Sequence, residues 1–113
     1  MRQRVITVPK DKIAEKALDF EEATKEQLIE LSITEEEFLF LYQNGIIELI
    51  NQEGETNIDD FEDDSVTGKE NLSKVIKALN LRVDLNVYDE LIQNVSNLFN
   101  EAIDRDTGVY FYF

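Results

Sequence analysis

The chain has 113 residues, 42% of them hydrophobic and 32% charged, with 25 Asp and Glu against 11 Lys and Arg. This length fits one domain. The net charge is −14, but the chain has seven Phe, four Tyr and many aliphatic residues, which suffice to form a hydrophobic core. The chain has no Cys, His or Trp, which excludes disulfides, thiolate nucleophiles, the commonest general base and the commonest transition-metal ligand. We therefore expect no catalytic residues, no cofactor and no enzymatic activity.

The predicted elements begin with a strand and a helix. The β-branched run from Arg4 to Val8, closed by Pro9, is typical of a strand and favours a place at the edge of a sheet. Apolar residues at helical spacing after Asp11 then predict a helix with one apolar face. These residues are Ile13, Ala14, Ala17 and Leu18.

Two capping boxes predict the next two helices. Thr24 with Gln27 is the pattern of a helix start. The sequence leaves open whether this is a separate helix or the continuation of the preceding one after a bend. The short helix is expected to carry Leu28, Ile29 and Leu31. Thr34 with Glu37 repeats the pattern before another apolar run.

Asn44 and Gly45 leave two interpretations of residues 35–50 open. Asn-Gly between two apolar runs is a strong hairpin signal, and it also suits a helix C-terminus with Gly in the left-handed region. We favour the second interpretation, a helix that ends near Gln43 followed by a short strand from Ile46 to Ile50.

An acidic loop at about 51–68 separates the two halves of the chain, because Asn, Asp and Gly mark this stretch as irregular. Thr67 and Glu70 then form a third capping box for an amphipathic helix that ends near Asn80. Its apolar residues are Leu72, Val75, Ile76 and Leu79. Alternating apolar residues predict a short strand or extended connector at Leu81, Val83, Leu85 and Val87.

The last helix and strand have the clearest patterns. A continuous apolar stripe opposite an Asn- and Gln-rich face predicts a long helix. The stripe consists of Tyr88, Leu91, Ile92, Val95, Leu98, Phe99 and Ala102. After a turn at 104–108, Val109 to Phe113 is apolar on both faces, which is typical of a strand inside a sheet. We expect a single α+β domain over residues 1–113, with about four helices packed on a small sheet that includes the N-terminal and C-terminal strands.

Essentially all of the net charge belongs to residues 26–68, here called the acidic segment. It contains 13 Asp and Glu and no Lys or Arg, whereas the other 70 residues have 12 acids and 11 bases. Most charge runs are solvated loops, but this one also suits a surface that recognises a basic partner. Phe61 is then either an apolar anchor in the interface or a core residue that pins the loop. The residues expected to contact the partner are Glu53, Glu55, Asp59, Asp60, Phe61, Glu62, Asp63 and Asp64.

The function that we favour is that of an inhibitor, immunity protein or antitoxin, which occludes the basic surface of a nuclease toxin or a nucleic-acid-binding protein. A non-inhibitory subunit of a larger assembly is the alternative, with the strand at 110–113 open to a partner sheet. Direct nucleic-acid binding is disfavoured, because phosphate contact needs a basic surface. The early bases interleave with Asp11 and Glu15 and are expected to form ion pairs along a helix. They are Arg2, Arg4, Lys10, Lys12 and Lys16.

The predicted strand–helix beginning and helix–strand ending resemble small barstar-like inhibitors in outline. No motif carries this resemblance, so it implies no site residues. A calcium-binding module is a remote alternative, since loops that start at Asn57 or Asp60 match an EF-hand only in part. With neither a signal peptide nor an apolar run of about 20 residues, we expect a cytoplasmic protein without membrane contact. The sequence leaves the oligomeric state open, and we favour a monomer.

Overall fold

The computed structural model describes residues 4–59, 63–81 and 89–113. The described residues form the strands β1 (Arg4–Pro9), β2 (Leu28–Ile33), β3 (Asp64–Thr67) and β4 (Gly108–Tyr112). They also form the helices α1 (Lys12–Asp19), α2 (Glu35–Gln43), α3 (Ile46–Gly54), α4 (Lys69–Leu81) and α5 (Asp89–Arg105). The strands make one antiparallel sheet in the order β2-β1-β4-β3. The predicted α+β class, with a sheet that joins the N-terminal and C-terminal strands, is confirmed, and the described residues contain five α-helices instead of about four.

The first strand lies inside the sheet, so its predicted place at an edge is wrong. Thr7 is paired with Glu30 of β2 on one side and with Tyr110 of β4 on the other. Pro9 is compatible with this interior position because the pairing with β4 covers only Val5 to Thr7. The N–H that Pro9 lacks is therefore not needed by β4.

The second predicted helix is replaced by a strand. The Thr24–Gln27 capping box exists, with the Thr24 N–H donating to Gln27 Oε1 at 3.0 Å, but it caps only the 3₁₀ turn Lys25–Gln27. The residues expected on a helix, Leu28, Ile29 and Leu31, belong to β2, where the backbone pairs with β1 along its whole length. A short apolar run does not distinguish helix from strand by itself, and here the partner strand decides.

Residues 35–54 form two helices instead of a helix and a strand. The Thr34–Glu37 capping box is present, and α2 ends at Gln43 as predicted. Gly45 has a φ of 77°, which confirms the left-handed turn, but residues 46–50 continue as α3. The strand prediction is wrong because the buried Ile46, Ile47 and Ile50 fit one face of a helix. The irregular stretch therefore begins at residue 55, and its end is paired as β3.

The second half of the chain follows its predicted pattern closely. The first backbone bond of α4 runs from Leu72 N–H to the Gly68 carbonyl, so the helix begins one residue later than a cap at Thr67 implies. Val75 and Phe99 are fully buried on the expected stripes of α4 and α5. The predicted interior position of β4 is also confirmed, which removes it as a free edge. Leu81 ends α4, while the predictions for residues 82–88, including Tyr88, lie outside the described residues.

The sheet has an inner face against the larger helical layer and an outer face against α1. Strand alternation places Ile6, Val66 and Phe111 on the inner face, where each is completely buried. On the outer face, Ala14 of α1 is buried, but Ile13 is 76% exposed although the sequence placed it on the same apolar face of the helix. Because α1 is only eight residues long, the part of the outer face around Tyr112 is left partly open.

Candidate functional site

The predicted contact residues are spread over several elements. Glu53 lies on α3, Glu55 follows that helix with a left-handed φ of 54°, and Asp64 begins β3. Asp60, Phe61 and Glu62 lie outside the described residues. The role proposed for Phe61, as an anchor or as a loop-pinning core residue, therefore stays a prediction.

Asn51 and Ile58 fix the path of the chain after α3. The Asn51 side chain donates from Nδ2 to the Ile58 carbonyl at 2.9 Å, and its Oδ1 accepts from the Ile58 N–H at 2.7 Å. The Ile58 side chain is 2% exposed and belongs to the core. The start of the predicted acidic loop is thus held against the body of the protein.

The carboxylates of two predicted contact residues accept hydrogen bonds from backbone N–H groups. Asp63 Oδ1 accepts from the Phe113 N–H at 3.0 Å, and Asp64 accepts from the N–H groups of Asn57 and Ser65, both at 2.8 Å. These bonds tie the end of the loop to Phe113, the residue after β4, and to the loop start. Asp63 and Asp64 therefore have structural roles in addition to any partner contact.

The environment of Asp64 favours its charged form. Its pKa is lowered first by the neighbouring Thr56 hydroxyl and then by the Asn57 and Ser65 N–H groups, against the opposing effect of burial. Thr56 Oγ1 is itself buried, and within residues 4–59, 63–81 and 89–113 it has no hydrogen-bond partner of standard geometry. The negative charge at Asp64 is thus stabilised from within the fold.

Two remaining predicted residues line separate depressions. Asp59 lines a cavity of about 370 Å³ together with Tyr42 and Glu48. Glu53 lines a neighbouring depression of about 350 Å³ together with Glu48 and with Ala78 of α4. The acidic segment consequently presents several negative surfaces, not a single loop.

A further depression lies where α1 ends above the outer face of the sheet. We call it the tyrosine groove, and its volume is about 460 Å³. Its lining includes Leu18, Asp19, Glu21, Leu28, Tyr110 and Tyr112. The two Tyr side chains share the outer face of β4 because they are two residues apart on a strand, and both are half-buried. Tyr110 Oη donates to Glu15 Oε2 of α1 at 2.9 Å, which fixes its ring.

Burial and nearby carboxylates raise the pKa values of the two tyrosines. Burial and then the adjacent Glu15 raise the pKa of Tyr110 well above its ordinary value of 10.0. Burial also raises the pKa of Tyr112, and Asp63, Asp19 and Glu21 add to the increase. Both hydroxyls therefore stay neutral at physiological pH.

Alkaline pH is expected to destabilise the protein through these two tyrosines. Their folded pKa values lie above the unfolded value of 10.0, so their contribution to stability is complete below pH 10.0 and decreases as pH rises above it. Urea unfolding at about pH 8 and about pH 11, with tyrosinate absorbance as a second signal, measures the effect.

The matched control is the double variant Tyr110→Phe with Tyr112→Phe, which keeps both rings and removes both hydroxyls. Titration of lysines affects this variant and the parent alike, so the difference between them isolates the tyrosines. Equal losses of stability in the two proteins between these pH values would contradict the assignment.

Sequence reasoning missed the tyrosine groove because its parts are distant in the chain. The alternation of Tyr110 and Tyr112 with buried Phe111 was a local signal for a distinct outer face. Nothing local shows that Asp19, Glu21 and Leu28 meet that face, since this depends on the path of β2 and on where α1 ends.

No family model, curated protein or solved structure matches the chain. Within residues 4–59, 63–81 and 89–113, no three acidic side chains come together in a way that could hold a metal ion. No helix in the same part of the chain has the length and apolarity needed to cross a bilayer.

Proposed function

We propose that this protein binds a basic partner and occludes the partner's nucleic-acid-contacting surface, as an inhibitor, immunity protein or antitoxin does. The observation that carries the proposal is the charge distribution, with 13 acids and no base in residues 26–68. Glu30, Glu48 and Glu55 of this segment are exposed and form no ion pair with another described residue. Such a surface attracts Lys and Arg side chains that otherwise contact phosphate.

The fold supports this use because it presents the charges on a fixed frame. α3 and the Asn51–Ile58 clamp hold the backbone that carries Glu48, Glu53 and Asp59. A pre-ordered surface loses less conformational entropy when a partner binds than a flexible loop does. We propose that the protein acts as a cytoplasmic monomer without enzymatic activity.

The test begins with capture of binding proteins from the source cells at about 50 mM and about 300 mM salt. We expect a basic protein that is retained at the lower concentration and largely lost at the higher one. The purified partner is then assayed for nucleic-acid binding with and without this protein, and we expect binding to be blocked. A partner that is not basic, or one whose nucleic-acid binding is unaffected, would overturn the proposal.

Matched variants then locate the interface. The acidic-segment variant combines Glu48→Gln, Glu53→Gln and Glu55→Gln, while the control removes the same charge with Glu22→Gln, Glu70→Gln and Glu90→Gln. The association rate at low salt is expected to fall by about tenfold for the first and by less than about twofold for the second. Asp63 and Asp64 are left intact because their carboxylates bind backbone N–H groups.

Size-exclusion chromatography separates this proposal from a non-inhibitory structural subunit. An inhibitor that awaits its target is expected to elute as a monomer. A homodimer that persists at high salt would favour the structural alternative.

A further inference from the structure

The tyrosine groove combines three features that recognise a cation. It has aromatic faces, since Tyr110 and Tyr112 are half-buried and offer part of their rings to the groove. It has carboxylates at its rim, since Asp19 and Glu21 are both exposed. It has apolar walls in Leu18 and Leu28, both half-buried, against which the aliphatic part of a long side chain can pack.

No Lys or Arg is among the described residues that line the groove. Asp19 and Glu21 near the end of α1 and Asp63 next to β3 all lie close enough to Tyr112 to raise its pKa, after the larger effect of burial, so carboxylates approach it from both sides. A cation above the ring thus gains both from the ring quadrupole and from the carboxylates. The volume of about 460 Å³ lies in the usual range for small-ligand pockets.

We infer that the tyrosine groove receives an arginine side chain presented by the basic partner, an assignment that rests on the proposed function. Glu30 of the acidic segment lies on the same outer face of the sheet as the groove, since Thr7 is paired with both Glu30 and Tyr110, so this part of the segment and the groove can face one partner. The acidic segment steers the approach, and the groove fixes the register of the complex by holding one side chain.

Arginine suits this groove better than lysine because its guanidinium is planar. A planar group stacks on an aromatic ring and still directs N–H donors at carboxylates in its plane, whereas an ammonium is a compact and more strongly hydrated charge. The same chain already contains one such arrangement. Arg4 lies 3.7 Å above the centroid of the Phe38 ring and donates to the Glu35 carboxylate at 2.7 Å.

The direct test is an NMR titration with three acetylated and amidated tripeptides. Their central residue is arginine, lysine or citrulline, which has nearly the shape of arginine without the charge. The arginine peptide is expected to shift the ring signals of Tyr110 and Tyr112 saturably, with a Kd on the order of 10 mM. The lysine peptide is expected to bind about threefold more weakly, and the citrulline peptide without saturation.

Variants assign the effect to the groove. Asp19→Asn with Glu21→Gln is expected to weaken binding of the arginine peptide about fivefold, and Tyr112→Leu about threefold. Tyr112→Phe keeps the ring and is expected to bind like the parent, which separates loss of the ring from damage to the fold. The charge-matched control, Glu48→Gln with Glu53→Gln, is expected to change the affinity by less than about twofold.

Several results would overturn the inference. If the lysine or citrulline peptide bound as tightly as the arginine peptide, the groove would not be specific for a guanidinium group. An equal loss of affinity in the control pair would show attraction to the general negative field instead of a site.

Failure of the inference can be told apart from failure of the proposed function. A basic partner that binds the Asp19→Asn, Glu21→Gln variant as tightly as the parent overturns the groove assignment and leaves the proposed function standing. If no basic partner is captured while the arginine peptide still saturates the groove, the proposed function fails and the assignment of the arginine to that partner fails with it.

Discussion

Replacing Phe111 with alanine is expected to lower the free energy of unfolding by about 3–5 kcal/mol, the largest effect of any single substitution considered. Phe111 is fully buried in an interior strand, opposite Ile6 of β1. Its ring lies 6.1 Å from that of Phe99 on α5 and 5.7 Å from that of Phe113, centroid to centroid. Truncation opens a cavity where the sheet meets the helical layer, and the close-packed surroundings collapse into it only in part.

Urea unfolding followed by circular dichroism measures the effect, since the chain has no Trp to serve as a fluorescent reporter. Phe111→Leu keeps most of the buried volume and is expected to cost about 1 kcal/mol. Tyr112→Ala removes a ring of similar size from the half-buried outer face and is expected to cost clearly less than Phe111→Ala. A Phe111→Ala protein as stable as the Tyr112→Ala protein would contradict the assignment of Phe111 to the core centre.

The elements that sequence patterns predicted correctly are those with long or two-sided signals. α5 carries its apolar stripe over 17 residues, long enough for helical periodicity to be unambiguous. β4 is apolar on both faces, which only an interior strand tolerates, and it lies between β1 and β3. In both cases the burial pattern alone determines the type of element.

The elements that were mispredicted are short apolar runs whose partners are distant. Leu28–Ile33 followed a real capping box, yet pairing with β1 made it a strand. Residues 46–50 were rich in the β-branched Ile, yet burial of one helical face made them part of α3. Intrinsic preference in such runs is weak, and tertiary contacts override it.

The sequence was enough to predict the charge of the candidate site, but not the positions and contacts of its side chains. The sequence shows the acidic segment directly, because 13 acids without a base need no structure to be counted. It does not show that Asp63 and Asp64 bind backbone N–H groups. Nor does it show that Tyr112 meets Asp19 from a helix at the other end of the chain, since only the folded sheet brings them together.

The early bases show the same limit of sequence reasoning. Lys12 contacts Glu15 of the same helix, Nζ to Oε1 at 3.6 Å, as the interleaved charges predicted. Arg4 forms no ion pair along a helix, because it lies on β1. Its guanidinium stacks on the Phe38 ring and pairs with the Glu35 carboxylate, 31 residues away in the chain. Arg4, which was expected in an ion pair along a helix, is therefore a buried residue.

Removing the Arg4 side chain is accordingly expected to cost about 2–4 kcal/mol of unfolding free energy in Arg4→Ala, the second largest effect. The residue is 6% exposed, and Nη1 also donates to the Phe113 main-chain oxygen at 3.3 Å. The substitution removes the stacking on Phe38, the charge-assisted bonds and the packing of the aliphatic stem together. The Glu35 side chain is 46% exposed, so salt screens part of the ion pair, but the stacking on Phe38 and the packing of the buried Arg4 stem are expected to keep most of the loss in about 1 M NaCl.

Arg4→Lys and a double-mutant cycle separate these contributions. Lysine keeps the charge, but its ammonium group is not planar and cannot both stack on the Phe38 ring and bind the Glu35 carboxylate through two parallel hydrogen bonds. Arg4→Lys is therefore expected to recover less than half of the lost stability. Combining Arg4→Ala with Phe38→Leu is expected to show a coupling energy of about 1 kcal/mol between the two side chains. Urea unfolding of the four proteins in the cycle and of Arg4→Lys, at low and high salt, supplies the values. Full stability in Arg4→Lys, or a loss in Arg4→Ala that disappears in salt, would show that Arg4 contributes only as a surface charge.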